Sequence, residues 1–157
     1  MARRYGRAPQ GQRLVSKVPH GHWKTTTFIG ALRCTGLTAP FVLDGATDSE
    51  AFCCYIREIL VPSLHQGDIV VLDNLSSHKH PEVDALITAA GATLIFLPPY
   101  SPDFNPIEQL FAKLKSLLRA AAKRTINELW DFLGSILSYF STQECRNYFA
   151  NCGYGES

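Results

Sequence analysis

The chain is 157 residues long, 46% hydrophobic and 18% charged, with 15 Lys and Arg against 14 Asp and Glu for a net charge of +1. That length suits one domain with a real apolar core, and the low hydrophobicity and high net charge of a disordered chain are both missing. There is no run of about 18 apolar residues for a membrane span, and the basic start at Met1–Arg7 lacks the apolar stretch that follows in a secretory signal.

In chain order, residues 1–13, with Gly6, Pro9 and Gly11, read as a basic arm or loop. A short strand is possible at Val15–Val18. Residues 24–33 are rich in β-branched types and read as a strand; Gly36 marks a turn, and Ala39–Leu43 reads as the second strand of a hairpin. Asp48 or Ser49 can cap a helix over about 50–60, with Phe52, Ile56, Ile59 and Leu60 on one face and Pro62 as its stop. Ile69–Leu72 is a continuous apolar run, which predicts a strand buried on both faces, as in a parallel sheet. A helix over about 81–90 follows, with Pro81 in its first turn and Gly91 at its end. Thr93–Leu97 reads as another buried strand, stopped by Pro98-Pro99.

The longest periodic element places Ile107, Leu110, Phe111, Leu114, Leu117, Leu118 and Ala121 on one helix face, with Asn105 set to be the N-cap and Pro106 the first helical residue. A second helix covers about 126–140. Trp23, Trp130 and the helix leucines are expected in the core, and the last dozen residues are assigned no structure. This order predicts an α/β or α+β layered domain with a mixed sheet. In such sheets sites form beyond the carboxyl ends of strands, which points to Asp73 directly after Leu72.

Five cysteines, Cys34, Cys53, Cys54, Cys145 and Cys152, contain no C-x-x-C pair, which argues against a disulfide framework or a zinc site and for a cytoplasmic protein with reduced thiols. The basic residues are unevenly spread. Six of the fifteen (Arg3, Arg4, Arg7, Arg13, Lys17, Lys24) fall in residues 1–24, and five (Lys113, Lys115, Arg119, Lys123, Arg124) in 109–124, neither stretch containing an acid. Two basic regions in a near-neutral chain suit a polyanion gripped at particular faces, although a basic tail and a solvated helix face explain the charges equally well.

Asp73 ends an apolar strand, and Glu108 sits one turn into the long helix, with 34 residues between them. Carboxylates held rigidly on a strand and a helix can converge on Mg²⁺, a hard cation that takes oxygen ligands and leaves the rest to water and phosphate. Such ions activate the attacking oxygen and stabilise the leaving one in phosphodiester cleavage. The plainer alternatives are a turn at Asp73-Asn74 and a capping arrangement of Glu108 behind Asn105.

The block Pro98-Pro99-Tyr100-Ser101-Pro102-Asp103-Phe104-Asn105-Pro106-Ile107-Glu108, placed after Leu72-Asp73-Asn74 and His78, resembles the DDE transposases, specifically the bacterial insertion-sequence group allied to mariner-type elements. Pro19–Thr27, Leu43-Asp44-Gly45 and Phe111–Lys115 extend the resemblance over most of the chain. It implies a ribonuclease-H-like fold, a mixed sheet flanked by helices, and Mg²⁺- or Mn²⁺-dependent cleavage and transfer of DNA strands, with Asp73 and Glu108 as the second and third acids of the catalytic triad. Asn74 and His78 are accessory candidates, and Arg3, Arg4, Arg7, Arg13, Lys113 and Lys115 are candidates for holding the DNA backbone. The first acid of such proteins lies on the first strand, within an Asp-Glu motif, and nothing here matches it. Asp44 belongs to a different turn. The expectation is therefore a catalytic part lacking its first strand, from a longer or split transposase: a basic arm at 1–13, the catalytic domain at 14–145 and a tail at 146–157. Its partners would be element-end and target DNA and either a second copy or the separately encoded N-terminal part, with no membrane. The competing expectation is an inactive remnant that binds DNA or an intact transposase.

Overall fold

The computed structural model describes residues 7–13, 15, 25–123 and 125–155. Strands β1 (Thr26–Arg33) and β2 (Gly36–Asp44) form an antiparallel hairpin. Its pairing jumps from Ile29↔Phe41 to Ala31↔Thr38, so Ala39 and Pro40 oppose Gly30 as a bulge. Ala39 takes a left-handed φ of 49° there, and Pro40, which has no N–H to give to the ladder, is tolerated at such an irregularity. Helix α1 (Ser49–Tyr55) starts at Asp48, whose Oδ1 accepts from the Ala51 amide at 2.8 Å, and runs into a π-helical turn at Ile56–Leu60. Next come β3 (Ile69–Leu72), α2 (Pro81–Ala89) and β4 (Thr93–Phe96), and β4 pairs with β3 in parallel. Helices α3 (Ile107–Ala121), α4 (Ile126–Ile136) and α5 (Thr142–Asn151) complete the chain.

Among the described residues the strands make two two-stranded sheets, β1–β2 and β3–β4, with helices on both faces of the hairpin. Alternation along the strands sorts the side chains. Ile29, Ala31 and Phe41 pack with Phe52, Tyr55, Ile56, Val83 and Ile87 of α1, its π-turn and α2. Phe28, Leu32, Leu37 and Val42 point the other way, against Leu110, Leu114, Leu133 and Ile136 of α3 and α4 and against Cys145 of α5. Arg33, the last residue of β1, ties the hairpin to β3. Its Nη1 donates to Oδ1 of Asp68, one residue before β3 begins, at 3.0 Å, and its Nη2 donates to Asp68 Oδ2 and to the Ser63 carbonyl.

Several sequence expectations change. β3 and β4 are covered on one face only: Val70, Leu72 and Leu94 join the core, while Ile69, Val71 and Ile95 are exposed. An apolar run says that a strand can be buried twice over, but only the packing of α3 onto the hairpin decides which face receives a helix. Trp130 is exposed and not core. Asn105 makes no side-chain cap; the first bond of α3 runs from the Glu108 amide to its backbone carbonyl at 3.1 Å. The segment after 140 is helix α5, capped by Ser141 on the Glu144 amide and running across the 145/146 boundary, with Cys145 fully buried. Its polar and aromatic composition hid the one apolar stripe it needs. Val15 lies in no strand; the rest of the suggested strand at 15–18, Arg3, Arg4, Trp23 and the stretch 19–24 lie outside the described residues. Among the described residues no helix is long and apolar enough to cross a membrane.

Candidate active site

Asp73 follows the last residue of β3, where the ladder closes with the Leu97 amide donating to the Leu72 carbonyl at 2.8 Å. The Asp73 carboxylate has a fixed orientation. Its Oδ1 accepts from the Leu75 amide at 3.2 Å and lies 2.6 Å from His78 Nδ1. The imidazole does not approach along a hydrogen-bond direction, and its Nδ1 is buried. His78 in turn stacks on Phe52 of α1, ring centroids 4.1 Å apart and planes 24° apart. The second oxygen of Asp73 has no hydrogen-bond or ion-pair partner among the described residues, and a third of the side chain is solvent-exposed. Asn74 is half-buried beside it.

Glu108 lies in the first turn of α3 and is exposed, with no hydrogen-bond or ion-pair partner among the described residues. The capping-box alternative for this residue fails, because its side chain does not reach back to the helix start. The helix dipole there favours a carboxylate. The turn itself is braced from the C-terminus. Gln109 Nε2 donates to the Tyr148 carbonyl at 3.4 Å, Asn151 Nδ2 donates to Gln109 Oε1 at 3.1 Å, and the Tyr154 hydroxyl donates to the Phe104 carbonyl at 2.9 Å. These bracing residues, and Phe52, were missed by sequence reasoning; the aromatic and amide content of the last dozen residues was the one available signal.

Arg33 at the end of β1 meets Asp68, the residue before β3. Phe111, one turn beyond Glu108 on α3, meets Phe28 near the start of β1 edge-to-face, centroids 6.3 Å apart. Neither acid belongs to a cluster of three potential ligand side chains among the described residues. The donor set is nonetheless the right kind for Mg²⁺ or Mn²⁺: an open carboxylate oxygen on a rigid strand end and an unpaired carboxylate on a helix.

The basic candidates divide. Lys113 is occupied within the fold: its Nζ donates to both carboxylate oxygens of Glu144 at 2.8 and 2.7 Å and to the Tyr139 carbonyl at 2.9 Å, and sits 4.9 Å from the Phe140 ring centroid. The Lys113 hydrogen bonds hold the Glu144 carboxyl below its usual pKa, with help from the Tyr148 hydroxyl. Its sequence expectation as a phosphate contact therefore meets an ammonium already satisfied. Lys115, Arg7 and Arg13 are exposed.

A hairpin followed by a parallel β-α-β unit, with helices on both faces of the hairpin, defines a ribonuclease-H-like α/β domain. Residues 1–130 match the DDE superfamily endonuclease family, and the chain belongs to it. Among solved structures it is similar to the pre-cleavage Mos1 transpososome (13% identity, TM-score 0.73, covering 98% of this chain and 47% of that chain). It also resembles the Mos1 mariner paired-end complex with Mn (16%, TM-score 0.69, 94% and 46%), and the catalytic domain of Mos1 mariner transposase (15%, TM-score 0.60, 83% and 74%). At these identities the likeness is one of fold, and the chain spans about half the length of the transposases in the complexes. No curated protein is matched.

Proposed function

We propose that this chain is the catalytic part of a DNA transposase that cuts a strand at insertion-sequence ends and transfers it to target DNA. It would act in the cytoplasm as a homodimer or together with a separately encoded N-terminal part. The observations that carry this reading are two carboxylates in a DDE-family chain, Asp73 at the end of β3 beside His78 and Glu108 without a partner among the described residues on a braced helix turn. The similar structures, a Mos1 transpososome and a Mos1 paired-end complex with Mn, favour DNA and a divalent cation as partners.

Asp73 and Glu108 would hold Mg²⁺ or Mn²⁺, which supplies activation of the attacking oxygen and charge stabilisation at the leaving oxygen. His78, fixed on Phe52, keeps Asp73 Oδ1 in place and so aims the second oxygen into the site. Asn74 shapes the turn that carries Asp73. Lys115 and the arm residues Arg7 and Arg13, joined by Arg3 and Arg4, neutralise backbone phosphates and make binding salt-dependent.

Two measurements test this. Mn²⁺ binding to the chain, followed by water-proton relaxation, should weaken at least about tenfold in Asp73→Asn and in Glu108→Gln. Cleavage of element-end DNA by the chain supplied with the upstream acid should fall about a hundredfold or more in either variant, with DNA affinity kept. Unchanged Mn²⁺ binding and cleavage in both variants would overturn the site. DNA binding without cleavage in the completed protein would identify the remnant instead.

A further inference from the structure

A second group of potential ligands lies outside the candidate active site. Cys53 on α1 and His80 and Glu82 at the start of α2 each present one ligand atom within 4.8 Å of the other two. Cys53 is buried, and its Sγ lies 3.9 Å from Glu82 Oε2. The His80 Nδ1 accepts from the Glu82 amide at 3.3 Å, capping α2, so its Nε2 is the nitrogen left for a ligand. That Nε2 lies 3.4 Å from Glu50 Oε1 on α1. The Cys53 thiol, the His80 imidazole and the Glu82 carboxylate thus face one another, and the exposed Glu50 carboxylate reaches the imidazole from α1.

We infer that Cys53, His80, Glu82 and Glu50 form a site for a borderline-soft divalent cation such as Zn²⁺ or Co²⁺, distinct from Asp73 and Glu108. A thiol and an imidazole select such ions over Mg²⁺. Ligand atoms around a tetrahedral zinc are about 3.3–3.8 Å apart, so side-chain movements of about 1 Å close Cys53, His80 and Glu82 onto an ion, and the exposed Glu50 side chain can swing in as the fourth ligand. Burial, and then the charges of Glu82 and Glu50, hold the Cys53 thiol above its ordinary pKa, so without a cation it stays protonated. On binding, the S–H bond breaks, its electron pair becomes the metal–sulfur bond and the proton leaves to solvent. Arg57 now neutralises Glu82, and being half-exposed it can swing into water as the dication takes its place. Occupancy would lock α1 to the start of α2. Phe52 precedes Cys53, and His78 lies two residues before His80, so the lock would stiffen the stack that positions Asp73.

The experiment is Co²⁺ titration of the full chain under reducing conditions. We expect one equivalent to produce a thiolate-to-cobalt charge-transfer band in the near ultraviolet, displaced by Zn²⁺, and a rise in Tm. An oxygen-only site at Asp73 and Glu108 gives no such band. Cys53→Ser should abolish it and Cys54→Ser, at the exposed neighbour, should keep it. Since a buried substitution can unfold the chain, His80→Asn provides a second reading: the amide oxygen keeps the helix cap, while Co²⁺ affinity should fall at least about tenfold. The inference is overturned by the absence of the band, by its survival in Cys53→Ser, by its loss in Cys54→Ser, or by unchanged affinity in His80→Asn.

Discussion

Replacing Asp68 by Asn tests how the hairpin is held to β3. Asp68 accepts from both terminal nitrogens of Arg33 and, at 2.8 Å, from the His65 amide. It thereby joins the end of the hairpin to the start of β3, whose other end carries Asp73. Hydrogen bonds to a charged group contribute about 1.5–3 kcal/mol each. Both side chains keep some solvent, 30% for Arg33 and 21% for Asp68, and after the substitution Arg33 can turn to water while retaining the Ser63 carbonyl. The expected loss is then about 2 kcal/mol, above a surface pair and below a fully buried one. That corresponds to a fall in Tm of about 4–8 °C for a domain of this size.

Urea unfolding followed by far-ultraviolet circular dichroism supplies the number, and a double-mutant cycle with Arg33→Met should return a coupling of about 1–2 kcal/mol. The acid limb gives an independent check. The hydrogen bonds from Arg33, followed by that from the His65 amide, hold the Asp68 carboxyl far below its ordinary range. Its contribution is thus complete above the unfolded value of about 3.9 and drains away as pH falls toward the depressed folded value. The wild-type chain should lose stability below about pH 5 more steeply than Asp68→Asn. A loss under about 0.5 kcal/mol with no coupling to Arg33 would refute the bridge as the element that ties the hairpin to β3.

Other outcomes follow from the packing and the charges. Leu110, fully buried between α3 and the hairpin, should cost about 3–4 kcal/mol as Leu110→Ala, measured by the same unfolding assay. Lys113→Met should lower stability by about 1–2 kcal/mol, because Glu144 loses its cation. Lys115→Ala should leave stability unchanged but weaken DNA binding and reduce the salt slope by about one, read by fluorescence anisotropy. If Lys113→Met, and not Lys115→Ala, changes the salt slope, the division of work between these lysines is wrong.

Local signals in the chain sufficed for most elements. Pro81 and Gly91 bracket α2, the spacing of Ile107, Leu110, Phe111 and Leu114 marks α3, and the β-branched run before Gly36 marks the hairpin. The Pro98–Glu108 block pointed to the family by its resemblance to the DDE transposases, and its turn prolines mark one rigid loop entering one helix. These are properties of short stretches, and short-range sterics and periodicity set them before any packing occurs. Contacts between distant residues could not be read in the same way. That Phe52 braces His78, that Gln109 is tied down by the C-terminal helix, that Lys113 belongs to Glu144 rather than to solvent, and that Cys53 meets His80 are all consequences of how helices seat on the sheet. Which apolar face of β3 is covered was decided there too: burial depends on the whole arrangement of layers, and a run of four apolar residues is compatible with one cover or with two.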